Sequence, residues 1–202
     1  MTGTILFDIL DFWHAGAGHG TGRFLDAAVK RTPNGLPFLP GRTVKGLFRD
    51  AAQQCEDLGH LPPGEVELLF GSRVTADMSR FETEAGLLQF GNAELDPRWE
   101  SFVQTERGKA LLPGFFETIA STSIDRDGLA EKGSLRRIEA VIPLSLKAQW
   151  SVTDGEAAQR ARTALEMAAG LIRRLGHSRN RGLGRCQVSL EPRSVQSSGG
   201  RS

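Results

Sequence analysis

Between Ile138 and Val152 every even-numbered residue is apolar: Ile138, Ala140, Ile142, Leu144, Leu146, Ala148, Trp150 and Val152. The odd positions are mostly polar, with Val141 and Pro143 the exceptions. A period of two sends alternate side chains to opposite faces, so the run predicts one long strand with a single buried face. Such a strand needs a sheet around it and a layer to cover it. Two helical patterns provide the cover. Val44, Leu47, Phe48, Ala51, Ala52 and Cys55 recur at helical spacing after the stiff lead-in Leu36-Pro-Phe-Leu-Pro-Gly41. Ala161, Ala164, Leu165, Ala168, Leu171, Ile172 and Leu175 mark a second helix over about 155–175. Further strands are expected at 5–12, 86–95 and 184–190, a short helix at 65–70, and irregular structure at 96–136.

The order strand, helix, strand, strand, helix, strand gives an α+β fold. It is a ferredoxin-like (RRM-like) βαββαβ core with both helices on one face of an antiparallel sheet. One insertion lies between the first helix and the second strand, the other at 96–137. Residues 1–190 read as a single domain, and 191–202, made of Ser, Gly and Arg, as a disordered tail. No apolar run approaches the roughly 20 residues that span a bilayer, and the N-terminus lacks a signal-peptide pattern. A cytoplasmic protein with no membrane partner is expected. Cys55 and Cys186 sit on the apolar sides of their patterns, as buried reduced thiols do.

Net charge is only +1, but its distribution is uneven. Five arginines (173, 174, 179, 181 and 185) and His177 fall in a stretch without an acid, Gly176–Arg185 being its glycine-rich part. Planar, bidentate guanidinium groups suit phosphate, and glycines allow close backbone approach to an anion. Gly182 and Gly184 are assigned that role here. On the first helix Arg42, Lys45 and Arg49 lie within about 60° of one another, opposite the apolar face, near an N-terminus whose free N–H groups favour anions. No Gly-Phe-Gly-Phe run of RRM type is present, so any RNA is expected to bind through loops.

The loop His14-Ala-Gly-Ala-Gly-His-Gly-Thr-Gly22, with Asp26 just beyond it, is a third candidate. Its glycines do not meet the dinucleotide-binding pattern, because no helix follows directly. His14, His19 and Asp26 are residue types for acid–base work or metal binding, and a glycine loop with incidental histidines has the same spacing.

Together these segments resemble the RAMP proteins, the repeat-associated subunits of CRISPR effector complexes. Leu36-Pro-Phe-Leu-Pro-Gly-Arg-Thr-Val-Lys-Gly-Leu-Phe-Arg49 is similar to their Pro-Gly-Ser-Ser-Leu-Lys-Gly signature, and Gly176–Arg185 to their C-terminal glycine-rich loop. Leu69-Phe-Gly-Ser72, Gly86-Leu-Leu-Gln-Phe90 and Thr122–Glu139 resemble further blocks of the backbone subunit of type III complexes. The resemblance implies a subunit that stacks in copies along a guide RNA, beside other effector subunits, while base pairing reads the target RNA. It makes residues 111–139 a thumb hairpin that wedges into the guide–target duplex. It assigns RNA contacts to His14, Gly16, Arg42, Lys45, Arg49, Arg126, Arg136, Arg137, Arg179, Arg181, Gly182, Gly184 and Arg185.

By the same resemblance Asp26 is the residue that cleaves target RNA, as a base toward the 2′-OH or as a ligand to a transient Mg²⁺, with no structural metal. Ala27-Ala28 after Asp26, and Arg42-Thr43-Val44 in the helix signature, depart from the family pattern. Two other roles stay open at this point: a non-cleaving structural or capping subunit, and a precursor-RNA-processing endonuclease using His14 or His19.

Overall fold

The computed structural model describes residues 1–16, 26–72 and 84–191. His19 and the tail beyond 191 therefore lie outside the described residues. The main sheet contains β1 (Thr2–Ile9), β2 (Leu88–Glu94), β5 (Leu144–Val152) and β6 (Cys186–Leu190). Its order is β2-β5-β1-β6, and all neighbours are antiparallel. Helices α1 (Gly41–Asp57) and α5 (Ala158–Leu171) form the crossovers, which makes this the expected ferredoxin-like topology. The short helix α2 runs from Glu65 to Phe70 and stops at Gly71, as its pattern predicts.

The core lies between this sheet and the helices. Ile5, Phe7 and Ile9 of β1 and Leu146, Ala148 and Trp150 of β5 are buried against Val44, Phe48, Ala51 and Ala52 of α1. Helix α5 contributes mostly alanines (Ala161, Ala164, Ala168), which let it approach closely. Phe7 meets Phe48 edge-on, with centroids 6.4 Å apart, and Phe48 stacks on Phe90 at 5.8 Å. Both cysteines are buried and reduced, and burial pushes the Cys186 thiol up to about 11. On the other sheet face Asp8 accepts from Ser145 and Thr4 accepts from Gln149. That face of β1 and β5 offers no aromatic platform for bases.

Three expectations need correction. The alternating run is not one strand, because it divides at Pro143. Proline has no N–H to give a ladder, and the chain switches sheets there. Residues 144–152 stay in the main sheet as β5, whereas β4 (Arg136–Val141) pairs antiparallel with β3 (Phe116–Ser121). Second, the stretch 96–136 is not irregular throughout. It holds α3 (Arg98–Phe102), α4 (Glu106–Leu111), a 3-10 turn and β3. Third, the second helix ends at Leu171, and the chain is already extended at Ile172. Arg173 and Leu175 then ladder against Cys186 and Gly184 through Cys186 N–H to Arg173 O (2.9 Å) and Leu175 N–H to Gly184 O (2.8 Å). The arginine-rich loop is therefore the tip of a two-stranded ribbon and does not continue directly from the end of α5.

The β3–β4 hairpin occupies the place of the expected insertion. Its connection, 122–135, carries apolar side chains that nothing covers: Ile124 is 69% and Leu129 67% exposed. Asp125 folds the tip by accepting the amides of Asp127 and Leu129.

Candidate nucleic-acid interface

Strand β4 anchors the loops that carry the candidate residues. On the side away from β3, Trp13 and Val141 exchange backbone hydrogen bonds at 3.1 and 2.8 Å. Further along, Asp26 N–H donates to Arg137 O (2.9 Å), and Glu139 N–H donates to Ala27 O (3.0 Å). The Asp26 carboxylate accepts the Arg137 amide through Oδ2 at 2.7 Å, so its orientation is set although it is exposed. Arg136 and Arg137 lie beside it where β4 begins, next to the 122–135 connection.

Glu139 binds this junction together. Its Oε2 accepts from Val29 N–H at 3.0 Å, and its Oε1 pairs with Arg31 at 2.6 Å. The Arg31 guanidinium also lies 3.5 Å from the centroid of the Phe116 ring on β3, a cation–π contact. The Glu139 carbonyl meets His14 Nδ1 at 2.6 Å. A carbonyl only accepts, so Nδ1 carries the proton, and in the neutral ring Nε2 is the remaining acceptor. His14 itself is only 2% exposed. Asp26 and His14 attach to β4 at Arg137 and Glu139, two residues apart, which is about 7 Å along a strand.

The ribbon 173–186 closes the other side. His177 N–H donates to His14 O (2.9 Å), and Gly184 N–H donates to Phe12 O (2.8 Å). Between His14, the start of α1 and the ribbon tip lies a cleft of about 410 Å³. Gly16, Arg42, Thr43, Gly46, His177 and Arg179 line it together with His14, over an apolar floor of Leu39 and Leu47. The His14 and His177 rings meet edge-on at 5.9 Å.

Three separate sequence segments thus converge on one cationic, donor-rich cleft. Arg42 and Arg179 bring positive charge, Asp50 stands at the edge, and exposed Gly16 with half-buried Gly46 leaves room for close approach. This suits a phosphate–ribose backbone better than a compact metabolite.

Other expected residues do not join it. Lys45 and Arg49 are half-buried and absent from the cleft walls. Arg49 reaches Ser72 O at 3.5 Å, and burial, with Arg49 beside it, lowers the Lys45 ammonium from its usual range. The charged face of α1 is thereby split, with Arg42 on the ridge that lines the cleft. The amides at the start of α1 are also largely engaged: Gly41 donates to Asn92 Oδ1, while Thr43 and Val44 donate to Pro40 O. Arg185 pairs with Asp11 at 3.3 Å, Arg126 is on the hairpin tip, and Arg181 is exposed on the ribbon tip.

Gly182 has open space where a Cβ would be, so its need for glycine is conformational, at φ +90°. The close approach belongs to Gly184, whose Cβ would collide with Leu175 O. Glu139 and Arg31 are the residues that spacing did not single out, and His177, noted only for its basic neighbours, joins His14. Glu139 occupies an odd position of the alternating run, where solvent exposure is expected. Among the described residues no three His, Cys, Asp or Glu side chains converge on a metal position.

The sequence matches the RAMP superfamily over residues 7–187. No curated protein matches it. Its fold resembles a chain of the cryo-EM structure of the Type III-B Cmr-beta bound to cognate target RNA. That match has a TM-score of 0.67 and 12% identity, covering 94% of this chain and 97% of that one. A chain of the Type III-B Cmr-beta in the apo state matches with a TM-score of 0.68 and 13% identity, covering 98% of both. At such identities the likeness establishes the fold.

Two outcomes are expected from the junction. Glu139→Ala strands Arg31 and the Val29 amide and should cost about 3 kcal/mol, whereas Glu139→Gln, which keeps an acceptor, should cost about 1 kcal/mol. Urea titrations with unchanged slope would measure both, and equal costs would show that the charge contributes nothing. Gly184→Ala should destabilise far more than Gly182→Ala, which is expected to cost about 1 kcal/mol for its positive φ alone. Thermal unfolding of the pair checks the order.

Proposed function

The chain belongs to the RAMP superfamily, and on that footing we propose that it is a guide-RNA-binding backbone subunit of a type III CRISPR effector complex that also cleaves target RNA through Asp26. The cleft carries the reading. It joins Arg42 of the Pro-Gly helix signature to His14 and to Arg179 of the glycine-rich loop, the last lying more than a hundred positions beyond the other two. A guide strand would lay its phosphates there while its bases face the target, so that pairing reads sequence and protein reads backbone. The hairpin supports a thumb role. Exposed Ile124, Leu129 and Leu135 at its tip are apolar wedges of the kind that part stacked bases. Its partners on this reading are guide RNA, complementary target RNA, further copies of the chain and other effector subunits. No described helix is long and apolar enough to cross a membrane.

Asp26 lies against Arg136 and Arg137 at the start of β4, next to the 122–135 connection of that hairpin. Target RNA distorted by the hairpin would bring a phosphate to this carboxylate. As a base, Asp26 takes the proton of the neighbouring 2′-OH, whose oxygen attacks phosphorus. The bond to the 5′-oxygen breaks, that oxygen takes a proton from solvent, and a 2′,3′-cyclic phosphate remains. A single exposed carboxylate fits a Mg²⁺ ion shared with RNA phosphate oxygens, since this ion binds through one or two carboxylates plus phosphates. Such an ion would neutralise charge building on the phosphate.

One observation favours a second reading, a non-cleaving structural subunit: the Asp26 carboxylate already has a structural task in holding the Arg137 amide. Asp26→Asn separates the two, because its amide oxygen still accepts that hydrogen bond. The expected result is a stable protein that binds target RNA normally and cleaves about 10²–10⁴-fold more slowly. Divalent-dependent cuts at regular spacing by the wild-type complex are the reference. Absence of any wild-type cleavage would select the structural reading. Arg42→Ala and Arg179→Ala should each weaken guide RNA and lower the salt slope of binding by about 0.7. Unchanged slopes in both would remove the cleft from the RNA path.

A further inference from the structure

We propose that the RNA track continues beyond the His14 cleft into the groove between α1 and α5, where Arg173 and Arg174 bind two more phosphates of the same single strand. The inference rests on the guide-binding reading of the first cleft and extends it to a site outside that cleft. A second cleft, of about 370 Å³, opens directly beside the first and shares Leu47, Asp50 and Arg179 with it. Its far wall holds Arg173, Arg174 and Asn180, and Gln54 of α1 closes it. From Arg42 in the first cleft to Gln54 in the second, α1 advances 12 residues, about 18 Å at 1.5 Å per residue. That length matches roughly five stacked nucleotides at 3.4 Å each.

The chemistry of the second cleft points the same way. Arg173 and Arg174 are exposed, and neither forms an ion pair among the described residues. Their backbone is nonetheless fixed, because Cys186 N–H donates to Arg173 O and Arg174 bridges Arg185 across the ribbon. Arg173, Arg174 and Arg179 all line this cleft, so like charges share one space and a strand of phosphates offsets their repulsion. The floor is apolar, with Leu47, Ala51 and the 44%-exposed Leu171, so riboses or bases can lie on it. Capping the α5 dipole would need one cation within the last turn, not a cluster of three arginines. Asp50 stands where the clefts meet and is exposed. A carboxylate repels phosphate, so the strand must present a sugar or base there.

Fluorescence anisotropy with a labelled oligouridylate of about ten nucleotides, long enough for both clefts, tests this on the full chain across a salt series. Arg173→Ala/Arg174→Ala should lose on the order of tenfold in affinity, and the salt slope should fall by about 1.4, two contacts at 0.7 each. Its melting temperature should hold or rise, because repulsion is relieved. Asp50→Asn should bind more tightly than wild type. If Arg42→Ala lowers the slope and Arg173→Ala/Arg174→Ala does not, the extension is wrong and the first cleft stands alone. If wild type binds no single-stranded RNA, both readings fall. Equal loss of an RNA duplex and of the oligouridylate would overturn the single-strand assignment.

Discussion

One carboxylate, that of Glu139, determines how the loops of this protein sit on its sheet. Its oxygens hold the Val29 amide and the Arg31 guanidinium, and its carbonyl holds the His14 ring. Taking a carboxylate out of water is costly, and a partner recovers that cost only with good geometry and further hydrogen bonds. Here the side chain is 11% and Arg31 37% exposed, so the pair is only partly desolvated and Arg31 gains the Phe116 face as well. The result is selectivity more than gross stability. A loop segment that slid by one residue along β4 would leave a buried charge unpaired.

That arrangement needs β4 outside the main sheet, and Pro143 puts it there. Within the alternating run the even side chains still point inward on β5, where Leu146, Ala148 and Trp150 are buried. On β4 the logic differs, because β3 pairs on one edge while segments 13–16 and 26–29 approach the other. Glu139, Ala140 and Val141 are consequently all buried. One proline converts a single amphipathic strand into a core strand and a docking strand.

Much of the architecture was legible in advance because its causes are local. Period-two and period-3.6 patterns report which face meets the core, and both helices and all four main strands follow them. Helix α2 even ends at the glycine its pattern indicated. Strand β1 runs from Thr2 to Ile9, three residues earlier at each end than the expected 5–12. The misplaced boundaries at Pro143 and Leu171 have non-local causes. Ile172 to Leu175 continues the helical pattern of α5, yet its backbone finds partners on the strand leading into β6.

The candidate site was legible by residue type and less so by geometry. Gly16, Arg42 and Arg179, singled out as parts of separate candidates, line one cleft, whereas Lys45 and Arg49 share a helical wheel sector with Arg42 but lie outside it. The distinction depends on what packs beside each ridge of α1, which one helix's sequence does not contain. Glu139 escaped notice for a related reason, since its burial comes from loops far away in the chain.

The bond from His177 to His14, together with the bond from His14 to Glu139, sets the order in which this molecule can be made. Both partners lie more than 120 residues downstream of His14, and contacts so distant form late because loop closure precedes their reward. A nascent chain leaving the ribosome can build α1 early, with Arg42 already on its surface. His14, by contrast, has neither its ring partner nor the cover over its carbonyl until the ribbon that ends at Cys186 has emerged. The cleft is therefore finished only when the last strand is made, so completion of this site is coupled to completion of the polypeptide.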